Sequence, residues 1–182
     1  MKTKGIVFIA LTIITVLLAV VLLNKRQQLM DRRHFNKHTF PKSVVVTNMT
    51  SMPKVDTIAL VLSHLIFKFD TIEVKVYNMP RNFNRGEVEY YGIVQQLPFG
   101  RHKYIIFLNP EMGLSKIKLT MCHEFVHIHQ YERGDLELNV NSYIWKGDTI
   151  VPSMKYDERP FEVEAFNKQK SIYKQLENLL YE

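Results

Sequence analysis

Apolar positions follow three rhythms along this chain, and each predicts a different kind of element. From Gly5 to Leu23 the run GIVFIALTIITVLLAVVLL holds nineteen residues without a charge, about the length that spans a hydrocarbon core. Between Val55 and Phe69 the spacing becomes three and four, through Ile58, Ala59, Leu62 and Leu65, which predicts a core-facing helix. The rhythm then shortens. Ile72 to Tyr77 alternates, Val88 to Val94 is β-branched and aromatic, and Tyr104 to Leu108 is a compact apolar run; these read as strands. Met79 to Gly86, with Pro80, Asn82 and Asn84, reads as a loop, and Pro98-Phe99-Gly100 as a turn. A small, mainly antiparallel sheet leading into a helix is the consistent picture.

That helix is expected to begin near Ser115, a residue able to cap it, and to end before Gly134, which suits a left-handed stop. Leu114, Ile117, Met121, Phe125 and Ile128 make its apolar face. Leu136 to Trp145 and Thr149 to Val151 read as a hairpin turning at Lys146-Gly147-Asp148. A last three-and-four stripe, Ala165, Phe166, Ile172, Tyr173, Leu176 and Leu180, predicts a closing helix from Pro160 to Tyr181. The expected fold class is α+β, with residues 1–24 as a transmembrane helix, 25–54 as a basic stalk and 55–182 as the folded domain.

Charge sharpens that division. The net charge is +6, yet residues 1–42 carry eight Lys/Arg against Asp31 alone, and residues 43–182 carry sixteen against seventeen acids. Basicity thus belongs to the leader, and the domain gives no electrostatic case for a nucleic-acid partner. No small-x-small cleavage site precedes Lys25-Arg26, so the leader reads as an uncleaved single-pass anchor. Lys25, Arg26, Arg32 and Arg33 outnumber Lys2 and Lys4, which favours a cytoplasmic domain. Short anchors of this look often leave the domain outside, so the membrane side stays open. The single Cys122 excludes an internal disulfide and a cysteine-rich metal site.

Within the predicted helix lies His123-Glu124-Phe125-Val126-His127. At 3.6 residues per turn the two histidines stand about 40° apart on one face, so both imidazoles can reach one metal ion. Glu124 sits beside them, placed to take a proton from a water there. A catalytic zinc needs a third protein ligand. The stripe of the closing helix, extended backward, lands on Glu162, and a carboxylate on a buried stripe needs a partner because an unpaired buried charge is costly. Glu162 is the expected third ligand, one zinc ion the expected cofactor, and Glu164 the competing ligand. Glu164 points about 200° away, where Lys168 can pair with it. Pairing of Glu162 with Arg159 is the alternative without metal. His64 reads as a surface or packing residue, and His129, about 200° around from His127, as a packing residue or one that supports a ligand from behind.

HExxH followed by Glu162-Val163-Glu164-Ala165 resembles the gluzincin branch of zinc metallopeptidases, over roughly Tyr104 to Phe166. The resemblance implies a hydrolase of peptide bonds, here joined to the anchor read from Gly5 to Leu23, with His123, His127 and Glu162 on zinc and Glu124 as general base and acid. Its substrate would be a peptide or protein. It also implies that the strand before the motif helix, Tyr104 to Leu108, lines the cleft. The Asp that many such proteins carry four residues after the glutamate ligand is Phe166 here, which keeps a catalytically inactive binding or regulatory module as the alternative. The longer zincin pattern, with Gly and His three and six residues after the second histidine, is absent: those positions are Gln130 and Arg133.

Overall fold

The computed structural model describes residues 44–67, 72–80, 90–97 and 102–181. The anchor expected over 1–24, most of the stalk, the turn at 98–100 and much of the loop after Met79 lie outside them. Among the described residues no helix is long and apolar enough to cross a membrane.

The first element among the described residues is a strand, β1 (Val44–Asn48), followed by helix α1 (Val55–Ile66) and strand β2 (Ile72–Asn78). The stalk was expected to run to residue 54, so the folded part starts earlier than its basic, proline-bearing surroundings suggest. β3 (Gly92–Gln96) and β4 (Lys103–Leu108) complete a four-stranded sheet in the order β1-β2-β4-β3. β1 runs parallel to β2, β2 parallel to β4, and only β3 is antiparallel. The expectation of a mainly antiparallel sheet fails here for a topological reason. With α1 inserted between β1 and β2, the chain crosses over and returns in the same direction.

Alternation decides which face is covered. Ile72, Val74 and Val76 of β2 and Tyr104, Ile106 and Leu108 of β4 are buried. The intervening Glu73 binds Lys75 and Lys103 in ion pairs on the other face. Against the apolar face pack α1 and a longer helix, α2 (Leu114–Glu132), and a second long helix, α3 (Pro160–Tyr181), packs on both of them. α2 starts after Gly113 with no side-chain cap, not at a capping Ser115. Its end follows expectation: Gly134 takes φ 67°, its N–H bonds Tyr131 O and the Asp135 N–H bonds Gln130 O, the double bond that closes a helix on a left-handed residue. α2 and α3 are also tied by Lys118, nearly fully buried, whose Nζ donates to Glu177 at 2.7 Å and to the Tyr181 hydroxyl at 3.1 Å.

Between α2 and α3 the chain makes a three-stranded antiparallel sheet, β5 (Leu136–Asn139), β6 (Ser142–Trp145) and β7 (Asp148–Ile150). Lys146 and Gly147 both take positive φ at the expected turn. A second turn at Val140-Asn141 splits what the sequence reads as one strand, and Asn139 caps it by accepting the Val140 N–H at 2.8 Å. Trp145 is buried against Phe161, as a packing residue. A short 3₁₀ turn, Tyr156–Glu158, leads into α3.

Candidate metal centre

α2 and α3 meet where His123, His127 and Glu162 face one another. His123 Nε2 lies 3.0 Å from Glu162 Oε2, His127 Nε2 lies 3.2 Å from the same oxygen, and the two nitrogens are 3.1 Å apart. All three residues are buried. The histidine face of α2 is therefore not an open polar face: α3 and β3 cover it. Among the described residues this is the group of acids, histidines and cysteines whose ligand atoms converge closely enough to hold a metal ion.

The donor set suits zinc. Two imidazole nitrogens and one carboxylate oxygen are ordinary zinc ligands, and a set of three leaves a fourth position, as catalytic sites do. On a tetrahedral zinc with ligands at about 2.1 Å, neighbouring ligand atoms stand about 3.4 Å apart, close to the spacings seen here. The chemistry of the three atoms points the same way. A carboxylate oxygen only accepts, and a neutral imidazole nitrogen turned inward either donates or accepts. Three such atoms this close repel one another unless a proton or a cation lies among them.

Electrostatics register that strain. Burial raises the Glu162 carboxyl, but bonds from His123, His127 and Tyr156 outweigh it and bring the group down to about 2. Burial lowers His127, but its bond to Glu162 and that residue's charge hold it up at about 8. Glu124, buried beside them, moves upward, chiefly by desolvation, with Glu162 adding to the rise while both histidines and a backbone bond from Val94 oppose it. A carboxylate shifted upward is a better proton acceptor near neutral pH.

Around the triad the structure adds residues that the motif does not announce. Tyr156 stands with its hydroxyl 3.4 Å from His123 Nε2 and bonded to Glu162; burial and that carboxylate push its phenol upward, so it stays a donor. Gly92 of β3 lies so close to α2 that a Cβ there would stand 2.5 Å from Thr120 Cγ2 and 2.8 Å from Glu124 Oε1. His123 Nδ1 is 3.2 Å from Gln169 Oε1, and His127 Nδ1 is 2.8 Å from Gln130 Oε1. Phe166 packs against His123 with the ring planes tilted by 56° and the centroids 4.7 Å apart. Sequence reasoning passes over Tyr156, Gly92 and Gln169, because each acts through a neighbour distant in the chain.

The rival partners resolve cleanly. Glu164 stays out of the cluster and bonds Lys168, Gln130 and Arg133. Arg159 does not pair with Glu162: its guanidinium donates to the Met154 carbonyl at 3.2 Å and the Pro152 carbonyl at 3.1 Å. His129 packs edge-on to Phe67, and the exposed His64 ring bonds the Leu60 carbonyl within its own helix. Cys122 is buried, and burial pushes its thiol up to about 12.

A cleft of about 320 Å³ opens beside the cluster, lined by Glu124, His127, Glu162, Tyr156 and the β3 residues Gly92 to Gln95. The strand at the cleft is β3, an edge strand, and not Tyr104–Leu108, which is interior to the sheet. No family model, curated protein or solved structure matches the chain.

Proposed function

We propose that this protein is a membrane-anchored zinc metallopeptidase of the gluzincin kind. The observation that carries the reading is the convergence of His123, His127 and Glu162 on one point, with Glu124 beside it at the wall of a cleft. The uncharged run from Gly5 to Leu23 supports the single-pass anchor.

His123, His127 and Glu162 would hold the ion. When bound there, zinc supplies Lewis acidity that makes a water easier to deprotonate and a carbonyl easier to attack. Glu124 takes the proton of the attacking water and returns it to the leaving amine, a role suited to a buried carboxyl with a raised pKa. The missing side chain at Gly92 lets β3 lie against that carboxylate. Among the described residues β3 is the outermost strand of the sheet and runs along the cleft, where an extended peptide can add as a further strand. Tyr156, kept protonated beside Glu162 at the wall of the cleft, can donate to a substrate oxygen on which negative charge develops.

Glu124→Gln is the test. The variant is expected to bind zinc as the wild type does and to lose roughly 10²- to 10⁴-fold in the cleavage of a peptide library; cleavage at the wild-type rate contradicts the mechanism. Phe166, an apolar ring against His123 where an acid would orient that histidine, favours a second reading, a non-catalytic binding or regulatory module. Stoichiometric zinc in a wild-type chain that cleaves no peptide supports it.

A further inference from the structure

Gln130 is a fully buried polar side chain at the end of α2, three residues after His127. Its amide has three partners. Oε1 lies 2.8 Å from His127 Nδ1, while Nε2 donates to the Phe161 carbonyl at 2.9 Å and to Glu164 Oε2 at 2.9 Å. A carbonyl and a carboxylate only accept, so the amide nitrogen must face them; flipped, Oε1 would meet two acceptors in a buried site. With the nitrogen committed, Oε1 is left for His127, and it can only accept. His127 Nδ1 must then carry the hydrogen, and in the neutral ring Nε2 keeps the lone pair that faces Glu162 and His123.

From this geometry we infer that Gln130 is a positioning residue for the metal centre. It sets the tautomer and ring orientation of His127, and Glu164 and Arg133 fix Gln130 in turn. Arg133 Nη2 bonds both Glu164 oxygens, at 3.2 and 3.1 Å, and Lys168 bonds one of them. The same amide grips the backbone at Phe161, the residue before Glu162. One side chain thus aligns a ligand on α2 and the turn that carries a ligand on α3. The inference rests on the proposed zinc site for its purpose, although not for its geometry.

The full chain in detergent, labelled with ¹⁵N-histidine, provides the test. Long-range ¹H–¹⁵N spectra of metal-free protein at pH 9.5, where imidazoles are neutral, report the tautomer directly. His127 is expected with hydrogen on Nδ1, and with Nε2 as the bound nitrogen once zinc is added. Gln130→Met keeps length without an acceptor; it is expected to mix the His127 tautomers and to weaken zinc, measured by chelator competition, about 10- to 100-fold. Gln130→Glu keeps an acceptor for His127 Nδ1 but loses the donor to the Phe161 carbonyl. It is expected to hold His127 in the Nδ1–H form that Gln130→Met mixes, at a cost in fold stability, a separation that a packing role alone would not give. Hydrogen on Nε2 in wild-type protein overturns the inference, whether or not Gln130→Met folds. An unchanged tautomer and affinity in folded Gln130→Met overturn it as well. Wild-type protein with the expected tautomer but no zinc affinity overturns the metal-site reading and leaves the tautomer result standing.

Discussion

Glu162 and Glu164 stand two residues apart on α3, and both carboxyl groups are held down at about 2. The surroundings that hold them differ in kind. Glu164 is met by Lys168 Nζ, Arg133 Nη2 and the Gln130 amide, all donors at any pH near neutrality, so that corner is complete by itself. Glu162 meets two imidazole nitrogens as well as Tyr156, and an imidazole nitrogen donates only when it carries a hydrogen. One carboxylate is an ordinary buried ion-pair partner, and the other is complete only with a proton or a metal. Low pKa alone does not separate a structural acid from a ligand; the nature of the atoms facing it does.

Giving both acids the same substitution should pull the two corners apart most strongly. Glu162→Gln is expected to cut zinc affinity by more than the roughly 100-fold that loss of an outer partner costs. In metal-free protein near neutral pH the same change should lower the melting temperature, because it removes the carboxylate that holds the His127 proton. Glu164→Gln is expected to cost stability with less effect on zinc. It puts an amide N–H where a carboxylate oxygen had accepted from two donors and costs about 1–3 kcal/mol in denaturant unfolding, while zinc affinity stays within about 100-fold of wild type. Equal effects of the two changes on zinc would erase the distinction.

β3 offers a change of intermediate size. Gly92→Ala pushes a methyl group into Thr120 and Glu124, where Thr120 has little freedom to yield. Overpacking of this kind costs about 1–3 kcal/mol, and peptide cleavage is expected to fall roughly tenfold or more by displacement of Glu124. Zinc content should not change, which places the defect in the base and not in the ligands. Normal cleavage by Gly92→Ala would show that the approach of β3 to Glu124 has no catalytic weight.

The smallest expected effect is in pH. His127 sits at about 8 in the metal-free protein against an ordinary 6.5. A value raised on folding stabilises the fold fully below pH 6.5, and that share disappears as pH rises through about 8. Zinc bound there would replace the proton, so thermal melts should show a decline between pH 6.5 and 8 in metal-free protein only. Glu164 behaves oppositely: its value of about 2 lies below the ordinary 4.5, so its contribution is present above pH 4.5 and fades as pH falls toward 2, with or without zinc. A decline of equal depth in the zinc-loaded chain over pH 6.5 to 8 would contradict the assignment of His127.

What the sequence shows of this site is what helix periodicity can carry. His123, Glu124 and His127 lie within one helical turn or so of each other, and Glu162 follows from the stripe of a single helix, which also spans the expected Pro160–Tyr181. Gln130 and Arg133 are visible only as departures from a longer pattern, since a polar residue on a helix gains meaning from what packs over it. Tyr156 and Gly92 depend on contacts across 33 and 32 residues with His123 and Glu124, beyond the reach of any local rhythm. β1 was concealed by its basic neighbours, and with it the crossover that makes two of the three ladders in the larger sheet parallel.

Zinc content of the purified full chain, loaded with excess zinc and then desalted, tests the central claim most directly. One zinc per chain is expected in wild-type protein and in Glu164→Gln, with loss in His123→Ala and in Glu162→Ala. A wild-type chain that retains no zinc, or a Glu162→Ala chain that retains it as wild type does, would contradict the account.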